Sequence, residues 1–132
     1  MKALYLFGTL YCVMKIYFSS SRKNRGINEQ VIDVLSSVGE VYYIGYAQPS
    51  ENSHRKMFGE NMRNLRESDV VVALLKNVSS NVATELGIAY GMGKPIVYID
   101  FGERVGMLGM LSEEKVPFSE LEKIGEVLKR YC

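Results

Sequence analysis

The sequence predicts a single α/β domain with a mainly parallel sheet and helices on both faces. Strand-like and helical patterns alternate along the chain, which is typical of right-handed crossovers between parallel strands. Residues 70–75 form a continuous apolar run, the pattern of a strand that is buried on both faces. The chain has 132 residues, of which 47% are hydrophobic and 23% charged, as expected for one globular domain with its own core.

The individual elements follow from periodicity and from stop signals. Strands are predicted at residues 14–18, 41–44, 70–75 and 95–99. Helical spacing of apolar residues predicts helices over 27–38, through Phe58, Met62 and Leu65, and over about 82–92. Ser119 and Glu122 form a capping box that would open a helix to the C-terminus, and the polar segment 48–56 is predicted to be a loop. This order indicates a doubly wound, flavodoxin-like or Rossmann-like sheet.

Residues 1–13 stand apart from this pattern, because residue 14 is a natural start for the first strand. Gly8 and Thr9 lie between two apolar runs and could form a hairpin turn. The predicted organisation is therefore an N-terminal extension or extra strand over 1–13, followed by one domain over 14–132.

Bulk properties exclude several classes of function. The formal net charge is +1, so no overall field favours a nucleic-acid polymer or a membrane surface, and any anion must be held by a few local donors. The apolar stretch 4–18 is interrupted and too short for a confident membrane span. Cys12 and Cys132 match no metal or redox spacing and are predicted to be free thiols. His54, the single histidine, cannot form a multi-histidine metal site and is expected to be exposed. We expect a cytoplasmic protein.

The loop after the first strand is a candidate phosphate site. It carries three consecutive hydroxyls, Ser19 to Ser21, followed by Arg22, Lys23 and Arg25, and it leads into a helix N-terminus. Backbone donors at a helix start, together with cationic side chains, can bind a phosphate; the alternative is a solvated polar loop. The fingerprints of nucleoside triphosphatases and of dinucleotide-binding proteins are absent.

Glu85 is the candidate for chemistry. It lies near the start of the helix that follows the central strand, at the edge of the sheet where ligands bind. An ionised carboxylate there could act as a nucleophile or stabilise an oxocarbenium ion. The alternative is that it only complements the helix dipole. Gly87 and Gly91 are predicted to share a face and to let this helix approach the sheet closely.

Four segments in this order resemble the nucleoside 2-deoxyribosyltransferase superfamily, and most of all its 2'-deoxynucleoside 5'-monophosphate N-glycosidases. They are Ile16-Tyr17-Phe18 with the Ser/Arg loop, Ser68-Asp69-Val70-Val71-Val72-Ala73, Thr84-Glu85-Leu86-Gly87-Ile88-Ala89-Tyr90 and Gly93-Lys94-Pro95-Ile96. The resemblance covers about residues 14–110. The combination of segments is fairly specific, although each one alone is weak.

The resemblance implies roles for individual residues. Glu85 corresponds to the catalytic glutamate that attacks or stabilises the anomeric carbon, and Tyr17 to the tyrosine beside it. The residues implied to contact the substrate or its phosphate are Ser20, Ser21, Arg22, Lys23, Ser79 and Gly87. The alternatives to these implied roles are structural: Tyr17 would be a core aromatic residue, and Ser79 a turn residue before the helix. Neither a metal nor an organic cofactor is implied.

Two positions depart from the family pattern. Asn61 stands where the family has an aspartate that assists departure of the base, and Glu60 beside it should point in another direction. At about the position of Met107, members of the family have a serine that contacts the phosphate across a dimer interface. Met107 and Met110 indicate packing or a subunit interface. The sequence therefore favours a homodimeric N-glycosidase acting on a small nucleotide, with base transfer or nucleotide binding without catalysis as the alternatives.

Overall fold

The computed structural model describes residues 2–6, 9–43, 51–112 and 114–132. In this part of the chain the strands form a two-stranded antiparallel sheet and a five-stranded parallel sheet. The strands are β1 (Lys2–Leu6), β2 (Thr9–Val13), β3 (Lys15–Ser19), β4 (Glu40–Tyr42), β5 (Val70–Leu75), β6 (Ile96–Asp100) and β7 (Glu114–Pro117). The small sheet pairs β1 with β2, and the large one has the order β4-β3-β5-β6-β7.

Among the described residues, four α-helices connect or follow the strands of the large sheet. They are α1 (Arg25–Ser36), α2 (Glu51–Glu67), α3 (Ser80–Gly91) and α4 (Ile124–Lys129). Shorter 3₁₀ helices span Arg22–Asn24, Gly106–Leu111 and Phe118–Lys123. The predicted doubly wound α/β fold with a parallel sheet is confirmed.

The two faces of the large sheet have separate apolar cores. Alternate residues of a strand point to opposite faces, so Ile16 and Phe18 of β3 pack on the α1 and α4 side. Tyr17, between them, packs on the side of α2 and α3. All six residues of β5 are buried, as its continuous apolar run predicts. The face covered by α2 and α3 is the one that carries the candidate site.

The strand order creates a crevice at one edge of the sheet. From β3 the chain first moves outward to β4 and then returns past β3 to β5, β6 and β7. Connections that leave in opposite directions open a gap beyond the carboxyl ends of β3 and β5, where ligands bind in doubly wound folds. Ser19 ends β3 at this switch point, and α3 begins just beyond β5.

The second helix corrects the predicted loop over 48–56. Residues 51–56 form the first turns of α2, while 48–50 lie outside the described residues. Met62 and Leu65 are buried on this helix, but Phe58 is 56% exposed. The inward stripe therefore starts one turn later than predicted, because the first half of α2 extends past the edge of the core.

The C-terminal helix does not begin with the predicted capping box. A 3₁₀ helix starts at Phe118, directly after Pro117, and no side-chain cap bond closes it. The Phe118 ring stacks on Phe101 with ring centroids 4.5 Å apart, and this contact places the helix start before Ser119. The sequence pattern also gave no sign of β7, a four-residue edge strand.

Two further predictions are corrected by the structure. Cys132 is disulfide-bonded rather than a free thiol. Gly87 and Gly91 are exposed, and a Cβ at either position would meet no atom within 4 Å. Helix α3 packs on the sheet through Val82, Leu86 and Ala89 instead, so the glycines lie away from the sheet. Among the described helices none is long and apolar enough to cross a membrane.

Candidate active site

Glu85 lies in the second turn of α3, beside the buried face of that helix. Ser79 is the N-cap of α3, and its Oγ accepts a hydrogen bond from the Val82 backbone N–H at 3.2 Å. This cap fixes the start of the helix, and the packing of Leu86 then sets its rotation. Together they direct Glu85 towards the end of β3.

Two residues of β3 hold the Glu85 carboxylate. Ser19 Oγ donates a hydrogen bond to Oε2 at 3.0 Å, and the Tyr17 hydroxyl forms a second hydrogen bond to the same carboxylate. Tyr17 and Ser19 are two residues apart on a strand, so both side chains lie on the α3 face of the sheet. The sheet and the helix thus bring three polar side chains together in a largely apolar environment.

Opposing effects set the pKa of Glu85. Burial disfavours the charged form and raises this pKa above its ordinary value, whereas the bonds from Ser19 and Tyr17 favour the anion and lower it; burial dominates. Burial also raises the pKa of Tyr17, and the neighbouring Glu85 charge adds to that rise. Tyr17 therefore stays protonated as a donor to Glu85.

Tyr42 extends this cluster to Asn61. The Tyr17 and Tyr42 rings are tilted against each other with centroids 5.4 Å apart. Tyr42 Oη donates to Asn61 Oδ1 at 2.8 Å. Burial raises the pKa of the Tyr42 hydroxyl, and the charges of Glu60 and Glu85 raise it further. Because the side-chain oxygen of Asn61 accepts this hydrogen bond from Tyr42, the amide N–H groups of Asn61 remain as the donors of this side chain.

In the loop after β3, the serine hydroxyls and the cationic side chains differ in their exposure to solvent. Ser20 and Ser21 are buried, while Arg22 and Lys23 are exposed. Ser21 Oγ accepts from the Lys23 backbone N–H at 3.3 Å and caps the short 3₁₀ helix that follows. Ser20 Oγ donates to Asn28 Oδ1 at 2.6 Å, inside the protein. The cationic side chains therefore lie at the surface of this edge, with the serines beneath them.

Ser79 and Gly87 lie on different parts of α3. Ser79 lines a cleft of about 470 Å³ together with residues of the segment after β6, namely Glu103, Arg104, Val105 and Leu108. Gly87 lies on the exposed side of the helix, and its role in substrate binding stays a prediction. His54 lies exposed on α2. The described residues contain no group of three or more His, Cys, Asp or Glu side chains that could hold a metal ion.

Sequence reasoning missed Ser19 and Tyr42 as members of this cluster. Strand periodicity could have found Ser19, because it follows Tyr17 by two residues and must share its face. Tyr42 ends the neighbouring strand β4 and lies opposite Tyr17; the sequence predicts a parallel sheet but not this register. Asn61 had no such signal beyond its position relative to the next strand.

Comparison with known proteins identifies relatives of this fold. The family model for nucleoside 2-deoxyribosyltransferase matches residues 15–119. No curated protein sequence matches the chain. A 2-deoxyribosyltransferase from Bacillus psychrosaccharolyticus superposes with a TM-score of 0.63 at 20% identity, covering 82% of this chain and 90% of that one. A conserved protein from Enterococcus faecalis V583 gives 0.61 at 20% identity over 92% and 100%.

A third solved structure carries a different activity on the same fold. The CMP N-glycosidase of Clostridium botulinum superposes with a TM-score of 0.57 at 18% identity, covering 89% of this chain and 99% of that one. At these identities the three structures establish the shared fold.

The partly buried Glu85 carboxylate leads to a prediction about stability. Because the folded protein raises the Glu85 pKa, the ionised form destabilises the native state, and this penalty appears as pH rises from the ordinary value of 4.5 through the raised pKa. At pH 7 Glu85→Gln should therefore unfold at an equal or higher temperature than the wild type. The difference should shrink on titration below pH 4.5. Thermal unfolding of both proteins across this range measures the difference, and a Glu85→Gln protein that is clearly less stable at pH 7 would contradict a raised pKa for Glu85.

Proposed function

The chain belongs to the nucleoside 2-deoxyribosyltransferase family, and on this premise we propose that it hydrolyses the N-glycosidic bond of 2'-deoxynucleoside 5'-monophosphates. The products would be the free base and 2-deoxyribose 5-phosphate. The observation that carries the proposal is the partly buried Glu85 carboxylate, which receives hydrogen bonds from Ser19 and Tyr17 at the switch point of the sheet. Both activities seen among its structural relatives act on nucleosides or nucleotides.

In the proposed reaction Glu85 acts on the anomeric carbon of the sugar. Its oxygen bonds to C1', or stabilises positive charge there, as the C1'–N bond breaks and its electron pair passes to the base nitrogen. Water then supplies the hydroxyl at C1' and a proton for the base, and the carboxylate is regenerated. Tyr17 and Ser19 orient Glu85, and their hydrogen bonds favour its anion against the effect of burial.

The loop after β3 supports a phosphate-bearing substrate. Arg22 and Lys23 are exposed there, whereas Ser21 is buried, and Ser79 lines a cleft next to the start of α3. Each charge-assisted bond to the phosphate would contribute about 1.5 to 3 kcal/mol. Monophosphates should then bind more tightly than nucleosides, even though the net charge of the chain is only +1.

Asn61 is proposed to contact the departing base. Tyr42 occupies its carbonyl oxygen, so the amide N–H groups are left to donate to an acceptor atom of the base. A hydrogen bond of this kind stabilises the leaving group less than a proton from an acid would. We therefore expect slow turnover, or a need for a base that leaves easily.

Two other activities remain as alternatives with support of their own. Transfer of deoxyribose to a second base is favoured by the deoxyribosyltransferase neighbour, and the exposed basic loop argues against it. A nucleotide-binding protein without catalysis is favoured by Asn61 in place of an acid.

We also propose that the chain forms a homodimer. Met107 and Met110 lie on the 3₁₀ helix Gly106–Leu111 and are 89% and 84% exposed. Packing within the chain therefore does not explain these two side chains. Of the two interpretations that the sequence allowed, packing and a subunit interface, the interface is the one that we propose.

Base release from the four common deoxynucleotides separates these functions. We expect the wild type to release base in water without an acceptor base, with 2-deoxyribose 5-phosphate in equal amount. Glu85→Gln should lower this rate by about a thousandfold or more while keeping the fold, because an amide is neither a nucleophile nor an anion. Chromatography of bases and a colour test for the sugar phosphate measure both products. Ser68→Ala, at the opposite edge of the sheet, is the matched control and should retain activity.

Other outcomes of the base-release experiment would indicate transfer or nucleotide binding without catalysis. Release only in the presence of a second base indicates transfer, and tight nucleotide binding with no release indicates a binding protein. Near-native turnover by a folded Glu85→Gln protein, verified by mass spectrometry to be free of deamidation, would remove Glu85 from the mechanism.

Asn61→Asp tests the missing acid. The new carboxyl group can accept the same bond from Tyr42, and its proton can pass to the departing base. We expect turnover of ordinary deoxynucleotides to rise, on the order of a hundredfold. The measurement is kcat for wild type and variant at several pH values.

Asn64→Asp controls for charge, because it adds a carboxylate one turn along the same helix. Equal gains in both variants would indicate a general charge effect rather than an acid. A folded Asn61→Asp protein that binds substrate and is no faster would show that Asn61 does not occupy the acid position.

A further inference from the structure

Asn24 makes an unusual use of its side chain. It occupies the N-cap position of α1, where an asparagine normally bonds to the backbone of the first turn, yet it makes no side-chain cap bond. It is only 3% exposed. The hydrogen bonds of this buried amide lead away from the helix that it begins.

Those hydrogen bonds connect two loops. Asn24 Nδ2 donates to the Lys76 carbonyl oxygen at 2.7 Å and to Ser20 Oγ at 3.2 Å. Its Oδ1 accepts from Asn77 Nδ2 at 3.0 Å. Lys76 and Asn77 follow β5, whereas Ser20 follows β3. One side chain therefore bridges the switch point from the loop after β3 to the loop after β5.

Ser20 is part of this bridge. Its hydroxyl donates its single proton to Asn28 Oδ1 at 2.6 Å and accepts from Asn24. Asn28 is fully buried and also donates to the Ser21 carbonyl oxygen at 3.0 Å. A phosphate dianion offers only acceptors, so a serine whose proton is already donated cannot bind it in this arrangement. The structure thus separates Ser20 from Ser21, whose Oγ accepts a bond and keeps its proton available.

We propose that Asn24 is the positioning residue of the phosphate subsite, and that Ser20 belongs to its bridge rather than to the phosphate contacts. This inference rests on the proposed function, because it assigns the phosphate to the two bridged loops. One loop carries Arg22 and Lys23, and the other continues to Ser79. Hydrogen-bond donors on two loops bind an anion well only when the loops are already held in fixed positions relative to each other. Ordering the loops during binding would cost free energy.

A purely structural role predicts a different pattern of effects. A buried amide that only stabilises the fold would, on removal, weaken the binding of nucleoside and nucleotide alike or leave both unchanged. A positioning role for the phosphate subsite weakens nucleotide binding selectively. The discriminating quantity is therefore the ratio of the two dissociation constants.

The experiment measures this ratio by calorimetry in the Glu85→Gln background, in which ligand is not consumed. The probes are the best-bound common deoxynucleoside 5'-monophosphate and the same nucleoside without phosphate. Asn24→Ser removes the amide but keeps a residue type that suits an N-cap. We expect its nucleotide Kd to rise about tenfold or more, as for a misplaced binding group, while the nucleoside Kd changes little. Ser68→Ala is the matched control, because it removes another buried hydrogen bond, to the Leu65 carbonyl oxygen at 2.7 Å.

A second variant applies if Asn24→Ser does not fold. Asn77 is exposed with a φ of 49°, a backbone conformation that glycine adopts readily. Asn77→Gly removes the bond that Asn24 Oδ1 accepts and leaves every buried side chain itself unchanged. It should weaken nucleotide binding alone, by about two- to tenfold, the usual range for one hydrogen bond.

The role of Ser20 is tested by a double-mutant cycle. If Ser20 acts through the bridge, the effects of Ser20→Ala and Asn24→Ser on nucleotide affinity are not additive. Additive effects would make Ser20 a direct phosphate ligand and overturn that part of the inference.

The remaining outcomes separate the inference from the function beneath it. If the parent Glu85→Gln protein prefers the nucleotide and neither Asn24→Ser nor Asn77→Gly changes the ratio, the positioning role is wrong and the phosphate assignment survives. Parallel losses for both ligands also overturn the inference. If the parent protein itself shows no preference for the nucleotide, the phosphate assignment fails, and the positioning role fails with it.

Discussion

The candidate site depends on keeping one carboxylate, that of Glu85, at the carboxyl edge of a parallel sheet, where it is partly buried. A carboxylate placed there must receive hydrogen bonds, because burial alone favours its protonated form. Tyr17 and Ser19 provide them from a single strand, since residues two apart share a face. The cap at Ser79 and the packing of Leu86 then rotate α3 so that the carboxylate meets these donors.

The other buried polar side chains are concentrated at the same edge of the sheet. Among the described residues, those buried at the carboxyl edge of β3 and in the loop after it are Ser19, Ser20, Ser21, Asn24 and Asn28, and only Ser68 is buried at the opposite edge. Each one needs a partner, because an unpaired buried polar group destabilises the fold. No buried side-chain N or O atom among the described residues lacks a hydrogen bond. Buried polar side chains are thus concentrated at the edge that carries the candidate site, and among the described residues only Ser68 is buried at the opposite edge.

The sequence predicted the parts of this arrangement that follow from periodicity. The apolar run of β5, the position of Tyr17 at the end of β3 and that of Glu85 early in α3 are local patterns, and the resemblance added their order. Bridges such as Asn24 to Lys76 gave no signal, because they join residues 52 positions apart and asparagine is equally common in solvated loops. The capping box failed because an aromatic contact, between Phe101 and Phe118, placed the helix start. Gly87 was misread because helical spacing gives two glycines a common face without indicating which neighbour that face meets.

The central claim is that Glu85 is a partly buried carboxylate whose ionisation is supported by Ser19 and Tyr17. Its pKa can be measured directly by following the side-chain carboxyl carbon signal with pH by NMR, assigned with the Glu85→Gln protein. We predict a pKa above the ordinary 4.5, and a still higher value in Ser19→Ala, because one hydrogen bond that favours the anion is lost. A pKa at or below 4.5, unchanged in Ser19→Ala, would show that Glu85 is a solvated surface carboxylate and would contradict the account.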